Sequence, residues 1–385
     1  MRDVAIVGAA ITKFGELWQQ SLRALAVEAS LAALKDAGVD HVDALYVGAM
    51  SGGLLVGQEH LGALLADALG QSHIAATRVE GACASGGLAL RQGFLAVASG
   101  AAEVVLVTGV EKMTDVDGVV ATDVLATAAD QEWEAMHGVT FPGLYAMMAR
   151  AHMQRFGTSA RALASVAAKN HAHGIKNPQA QFALRLTADD VLSSAMVADP
   201  LHALECAPIS DGAAALVLVP ATKAMQLSKR LVVHIAASAQ AGDTMMLAGR
   251  ASLSELAGVA RAGALAYQQA GKGPTDIAVC EVHDCFTIAE IMATEALGFF
   301  EPGQAAAAVE AGVTSLGGRL PINTSGGLKA RGHPVGATGV AQAVEIVTQL
   351  RGEAGARQVA GARVGMTQNM GGTGATAVVH ILEVR

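Results

Sequence analysis

The chain has 385 residues, of which 52% are hydrophobic, only 16% charged and 3% aromatic, and its formal charge is −8. That length exceeds one ordinary core and predicts two or three domains built on Ala, Val and Leu, while the acidic balance argues against a nucleic-acid partner. The most apolar stretch, Gly93 to Val110, is interrupted by Ser99, Gly100 and Glu103, which argues against a membrane span.

The first predicted element is a strand, Val4 to Gly8, with no basic and apolar leader before it. Cys83, Cys206, Cys280 and Cys285 show no C-x-x-C spacing. With no export signal, they predict a reduced, cytoplasmic chain without disulfides or a zinc site. A helix ending at Asp36-Ala37-Gly38 leads to a second strand, Val42 to Gly48. Cys83 then stands in Glu80-Gly81-Ala82-Cys83-Ala84-Ser85-Gly86-Gly87, between a β-like stretch and an apolar helical run. A helix N-terminus favours the thiolate, and small neighbours let a substrate approach closely. Alone, such a cysteine reads more readily as a buried structural thiol. A strand from Glu103 to Gly109 follows, and its expected partner, Gly212 to Val219, lies beyond residues 111–205. That segment is too long for a plain loop and reads as an inserted cap.

The second half repeats the first. Val232 to Ser238, a helix ending at Gln269-Ala270-Gly271, and Thr275 to Glu281 echo the opening elements. A helix from Val335 to Leu350 and strands Arg363 to Asn369 and Ala375 to Ile381 echo the rest. The expectation is an α/β protein of two duplicated β-α-β-α-β-α-β-β halves. Residues 1–110 with 206–222 form the first half, 111–205 the cap and 223–385 the second half; one large irregular α/β sheet is the alternative. Cys83 and His333 fall at corresponding turns, and ligands of open α/β sheets bind at the carboxyl ends of strands, so both can face one crevice.

His333 sits between Gly332 and Pro334 in the Gly-dense run Asn323 to Gly339, at the expected helix entry. It can take a thiol proton, donate to an oxyanion, or simply cap the helix. In Glu281-Val282-His283-Asp284-Cys285-Phe286, alternation puts His283 and Cys285 on one face if the strand continues. Asp284 then anchors backbone or caps the following helix; the alternative is a strand end of ordinary core residues. Cys206 and Cys280 read as structural. Two thiols and two imidazoles in Gly-rich turns suffice for acyl transfer through a thioester, coupled to making or breaking a carbon–carbon bond.

These motifs resemble the thiolase family nearly end to end, and more narrowly its sterol-carrier-protein type with archaeal and bacterial relatives. Glu80 to Gly87 resembles the nucleophile motif, His283 to Phe286 the H-D-C-F motif and Gly326 to Gly339 the G-H-P motif. Lys169-Asn170-His171, Asn177 to Phe182 and Cys206 to Ala213 resemble the same subgroup. Ordinary thiolases have N-E-A-F and a C-terminal C-x-G-G-G where this chain has His283-Asp284-Cys285-Phe286 and Asn369-Met370-Gly371-Gly372-Thr373. The acid/base cysteine has thus moved to Cys285.

The resemblance implies a five-layered α-β-α-β-α core and a thiolase making or cleaving 3-ketoacyl-CoA, most readily acetyl-CoA C-acetyltransferase. It assigns Cys83 as the acylated nucleophile activated by His333, and Cys285 as the acid/base at the α-carbon. His283 and His333 would hold the enolate oxygen. The N–H groups of Cys83 and Gly371 would hold the tetrahedral oxyanion, and Asn323 would order the His333 loop. Coenzyme A and acyl-CoA are substrates, with no metal and no permanently bound cofactor. Arg150, Arg155, Lys169, Lys176 and Arg185 are candidate CoA contacts. Implied partners are a second copy or a tetramer, an OB-fold and zinc-ribbon protein, and HMG-CoA synthase. Rival readings are a condensing enzyme with another acceptor, a ketoacyl synthase (which needs no second thiol), a retro-aldolase (which lacks the nucleophile) and a scaffold subunit.

Overall fold

The computed structural model describes residues 2–227 and 230–385. Its strands are β1 (Val4–Ile11), β2 (Ala44–Gly48), β3 (Ala75–Val79), β4 (Val105–Glu111), β5 (Met196–Ala198) and β6 (Leu201–His202). They continue with β7 (Gly212–Pro220), β8 (Val233–Gly242), β9 (Val279–Glu281), β10 (Val364–Gly371) and β11 (Thr376–Val384). Nine of them form one sheet in the order β3-β2-β4-β7-β1-β8-β11-β10-β9, while β5 and β6 pair separately. Strands β4 and β7 are buried along their whole length, which is why they read as nearly unbroken apolar runs.

The halves join where β1 meets β8 through only two antiparallel residue pairs, Ala5 with His234 and Ile6 with Val233. The first half supplies five strands and the second four. The second half's missing strand is reduced to a single parallel bridge between Cys280 and Ile322. Asn323 follows with φ 57°, a left-handed conformation that turns the chain out of extended geometry. Strand β9 is likewise shorter than its sequence suggested, beginning at Val279 rather than Thr275.

The helices complete the layers. Leu22–Ala37, N-capped by the Ser21 hydroxyl and ended at left-handed Gly38, covers the outer face of the first half with Leu61–Ala68. Ser85–Ser99 and Thr338–Arg351 pack against each other between the halves. Ala257–Ala270 and Thr287–Ala296 cover the outer face of the second half. The layers therefore run α-β-α-β-α. The inner helices meet backbone to backbone: a Cβ on Gly86 would lie 2.6 Å from the Gly336 carbonyl, and one on Gly339 would lie 2.2 Å from the Gly87 nitrogen. Glycine is required there by contact, and this contact brings the two Gly-dense turns together.

Neighbouring strands β4 and β7 are separated in sequence by residues 112–211, which include helices Phe141–Phe156 and Ala160–Gly174. Leu144, Tyr145, Met148, Leu163 and Val166 from these helices join the apolar cluster of the second half. Among the described residues, no helix is long and apolar enough to cross a membrane.

Candidate active site

Past β3, the chain turns sharply through Ala82, whose φ of 52° is left-handed. The Ser85 hydroxyl accepts from the Gly81 N–H (3.0 Å) and donates to the Ala82 carbonyl (2.6 Å), folding this turn over the helix entry. Cys83 is thereby presented at the wall of a cavity of about 330 Å³, shared with Tyr145, Cys206, Cys285, His333 and Gly372. Burial pushes its thiol up to about 12, against the backbone N–H of Gly372; buried Glu111 raises it further. Burial thus opposes the thiolate that a helix N-terminus favours.

Glu111 ties the loops beneath this cavity together. Its carboxylate accepts from the N–H groups of Met50 (2.8 Å), Ser51 (3.2 Å) and Gly336 (3.0 Å). Burial raises it to about 7 despite those donors.

His333 precedes its helix by more than the sequence suggested. The helix begins at Thr338 rather than Val335, after a turn in which Ala337 and Thr338 donate to the Pro334 carbonyl. The backbone N–H of His333 donates to the Ser210 hydroxyl at 2.9 Å, and its Nδ1 lies 2.7 Å from Thr338 Oγ1. Thr338 spends its own hydroxyl proton on the Pro334 carbonyl, 3.1 Å away. With the hydroxyl so directed, its oxygen accepts from His333, an assignment that puts the imidazole proton on Nδ1 and leaves a lone pair on Nε2.

His283 has the opposite polarity. Asn369 Nδ2 stands 3.0 Å from His283 Nδ1 and 3.0 Å from the Cys83 carbonyl, while Asn369 Oδ1 accepts from the Gly87 N–H at 3.2 Å. These partners fix the amide's orientation, so His283 Nδ1 accepts and its proton resides on Nε2. That Nε2 is buried with no partner among the described residues. The two rings meet edge to face, 5.0 Å between centroids, and a ring nitrogen of each lies within 4.8 Å of the other and of the Cys83 sulfur. Burial, then the Arg331 charge, brings His333 down to about 3. Burial, then His333, brings His283 well below its ordinary value. Two nitrogens and a sulfur this close resemble a soft-metal donor set, but a metal needs a lone pair from each ring, and His283 offers an N–H.

Strand β9 stops at Glu281, yet the alternation holds in the extended residues beyond it. His283 reaches the Cys83–His333 cluster, Cys285 reaches the cavity, and Asp284 faces away. Asp284 accepts from the N–H groups of Leu328 (2.7 Å) and Lys329 (3.3 Å) and from Asn170 (2.7 Å). It anchors the short helix Gly327–Arg331, not the helix that follows it. Asn323 joins the same network, accepting from the Val282 N–H and donating to Glu290, both at 2.8 Å. It thus ties the loop leading to His333 to the residue preceding His283.

Gly371, expected as an oxyanion donor, pairs with Thr376 at the end of the β10–β11 ladder, and the neighbouring Gly372 lines the cavity with Cys83. Cys206, read as structural, lines the cavity. None of the five candidate CoA cations lines it, and three are engaged elsewhere: Lys169 with Glu290 and Arg155 with Glu255, each at 2.5 Å, and Arg150 with Asp199. Sequence reasoning also passed over Tyr145 and Thr338, whose contributions depend on contacts that no local motif records.

Comparison with known proteins comes to the same family and fold. The model for the thiolase N-terminal domain matches residues 4–222, and that for the thiolase C-terminal domain-like family matches residues 239–384. The chain is 55% identical to acetyl-CoA acetyltransferase of Methanothermobacter thermautotrophicus, over 99% of both chains. It is 35% identical to human sterol carrier protein 2, over 98% of this chain and 71% of that one. Among solved structures, the Ltp2-ChsH2(DUF35) aldolase superposes with a TM-score of 0.86 at 28% identity, covering 99% of this chain and 98% of that chain.

Proposed function

Because the chain belongs to the thiolase family, we propose that it is an acetyl-CoA C-acetyltransferase, joining two acetyl-CoA molecules or cleaving the 3-ketoacyl-CoA product. The observation that carries this reading is the opposed polarity of the two histidines, one offering a lone pair and the other an N–H at the same sulfur.

In the first step His333 Nε2 takes the Cys83 proton as the sulfur attacks the thioester carbonyl. The N–H groups of Cys83 and Gly372 receive the oxyanion. The bond to the CoA sulfur breaks, CoA leaves with the proton of the Cys285 thiol, and His333 keeps the proton it took from Cys83 until that sulfur is released. In the second step the Cys285 thiolate removes an α-proton from a second acetyl-CoA. The enolate oxygen accepts from His283 Nε2–H and from the Nε2–H of His333, which still carries the Cys83 proton. The α-carbon attacks the Cys83 acyl group, the carbon–carbon bond forms and the carbon–sulfur bond breaks, returning the Cys83 thiolate for reprotonation. Thiolysis runs the same steps backwards.

Coenzyme A enters as substrate, and no resident metal or cofactor has a step to perform. Edge strand β3, paired only with β2, supports association with a second copy. An OB-fold partner and a cytoplasmic location accord with the resemblance. A scaffold role alone leaves the assembled thiols and imidazoles without use.

The test is mass spectrometry after incubation with acetyl-CoA. The wild type should gain one acetyl group on Cys83 and Cys83→Ala none; an adduct on another residue would remove the assignment.

A further inference from the structure

Tyr145 is fully buried, lies on helix Phe141–Phe156 and belongs to no motif, yet it connects the two thiols. Its ring stacks on Phe286, 4.6 Å between centroids. Its hydroxyl donates to the Gly372 carbonyl at 2.9 Å, and it shares the cavity wall with Cys285, Cys83 and Gly372. One phenol therefore stands beside both thiols, anchored to the loop that carries Gly372 and stacked on the residue after Cys285.

Cys285 needs such a neighbour. To take an α-proton its sulfur must be anionic, in surroundings where burial holds it well above its ordinary value. Cys83 and Asp284 raise it further, while the Tyr145 hydroxyl and the Phe286 N–H act the other way. On the tyrosine's side, burial first and then Cys285 and Cys83 hold the phenol protonated, with the Arg250 charge acting the other way. Arg250 itself donates to the Thr373 carbonyl and hydroxyl, both at 2.8 Å, and so fixes the loop that carries Gly372. A protonated phenol between a carbonyl oxygen and a sulfur has one hydrogen to give and two places to give it.

We propose that Tyr145 is the positioning residue that readies Cys285 for proton transfer, its hydroxyl turning from the Gly372 carbonyl to the sulfur when the thiolate forms and back when the α-proton arrives. No bond to Tyr145 forms or breaks; the proton moves between substrate carbon and Cys285. The inference rests on the reading of Cys285 as the acid/base.

Tyr145→Phe keeps the stacked ring and removes only the oxygen. Hydrogen bonds to charged groups imply that deuterium exchange at the α-carbon of acetyl-CoA falls roughly 10- to 100-fold at neutral pH. The Cys285 ionisation midpoint should rise by about one to two pH units, while Cys83 acetylation falls far less. That midpoint is read by thiolate absorbance, as the difference between Cys83→Ala and the Cys83→Ala/Cys285→Ala double variant, each with and without Tyr145→Phe. Fluorotyrosine at position 145, a stronger donor of the same shape, should move the midpoint down. An unmoved midpoint, or exchange and acetylation falling in equal proportion, overturns the inference. Cys285→Ala separates the two levels. Exchange that survives Cys285→Ala removes both the acid/base reading and the role of Tyr145. Exchange lost in Cys285→Ala but undiminished in Tyr145→Phe removes the role of Tyr145 alone.

Discussion

Asn369 holds His283 in a single tautomer: its Nδ2 lies 3.0 Å from the ring's Nδ1, and its oxygen is already occupied by the Gly87 N–H. In the proposed mechanism this asparagine, at the position where ordinary thiolases carry a cysteine, supports the oxyanion donor His283. Asn369→Asp reverses the polarity, since a carboxylate draws the proton to Nδ1 and leaves a lone pair on Nε2. Losing one oxyanion donor costs about 10²- to 10³-fold. Condensation should fall by that factor while Cys83 acetylation, measured by mass, falls much less. Equal loss in both would show that His283 serves the first step as well.

Thr338 does the complementary service for His333. Thr338→Val keeps the shape and removes the oxygen that accepts from Nδ1. Freed to exchange tautomers, His333 should be a poorer base, and stopped-flow acetylation of Cys83 should slow by roughly tenfold or more. Acetylation at the wild-type rate would mean that packing alone orients the ring.

His380 offers a pH test away from the chemistry. Its Nε2 donates to the Gly87 carbonyl at 3.1 Å, and burial holds it down to about 4. It stays neutral in the fold while the unfolded chain takes a proton below the ordinary value of 6.5. Its contribution is therefore complete above pH 6.5 and is lost as pH falls toward 4, amounting to about 3 kcal/mol at the lower end. His380→Gln keeps a donor and cannot titrate. Urea unfolding should find the variant's stability relative to wild type improving between pH 7 and 4.5; a constant difference would contradict the linkage.

Association is tested at β3. Ala75 and Thr77 are exposed on this edge strand, so lysines there disturb little within one chain but repel across a strand pair. Light scattering should give wild type at least twice the 38.9 kDa of one chain, and Ala75→Lys/Thr77→Lys a lower mass. A wild-type monomer at micromolar concentration would end the homodimer proposal.

What the sequence made legible was local or repeated. Cys83, His283, Cys285 and His333 each stand in a short Gly-rich or alternating motif, and the duplication put Cys83 and His333 at matching turns before any contact was known. What escaped it was set by distant partners. The polarity of His283 depends on Asn369, 86 residues away, and that of His333 on which carbonyl Thr338 has already bonded. Burial by the surrounding layers pushes the Cys83 thiol up, against the pull of its own helix. Tyr145 could not be singled out, because an isolated tyrosine in an apolar helix looks like core. The second half's missing strand was lost to one left-handed asparagine, a backbone choice that composition does not announce.

The placement of β1 has a consequence for biosynthesis. Val4–Ile11 lies between β7 and β8, and neither neighbour begins before residue 212. A ribosome takes roughly 10–40 s to add the intervening chain at 5–20 residues per second. Through that interval an uncharged apolar strand waits with both hydrogen-bonding edges open, the condition most favourable to pairing with a neighbouring nascent chain. A strand made before either of its neighbours is thus among the last to be enclosed, and shielding it until β7 and β8 have emerged is what would keep this chain from pairing with another.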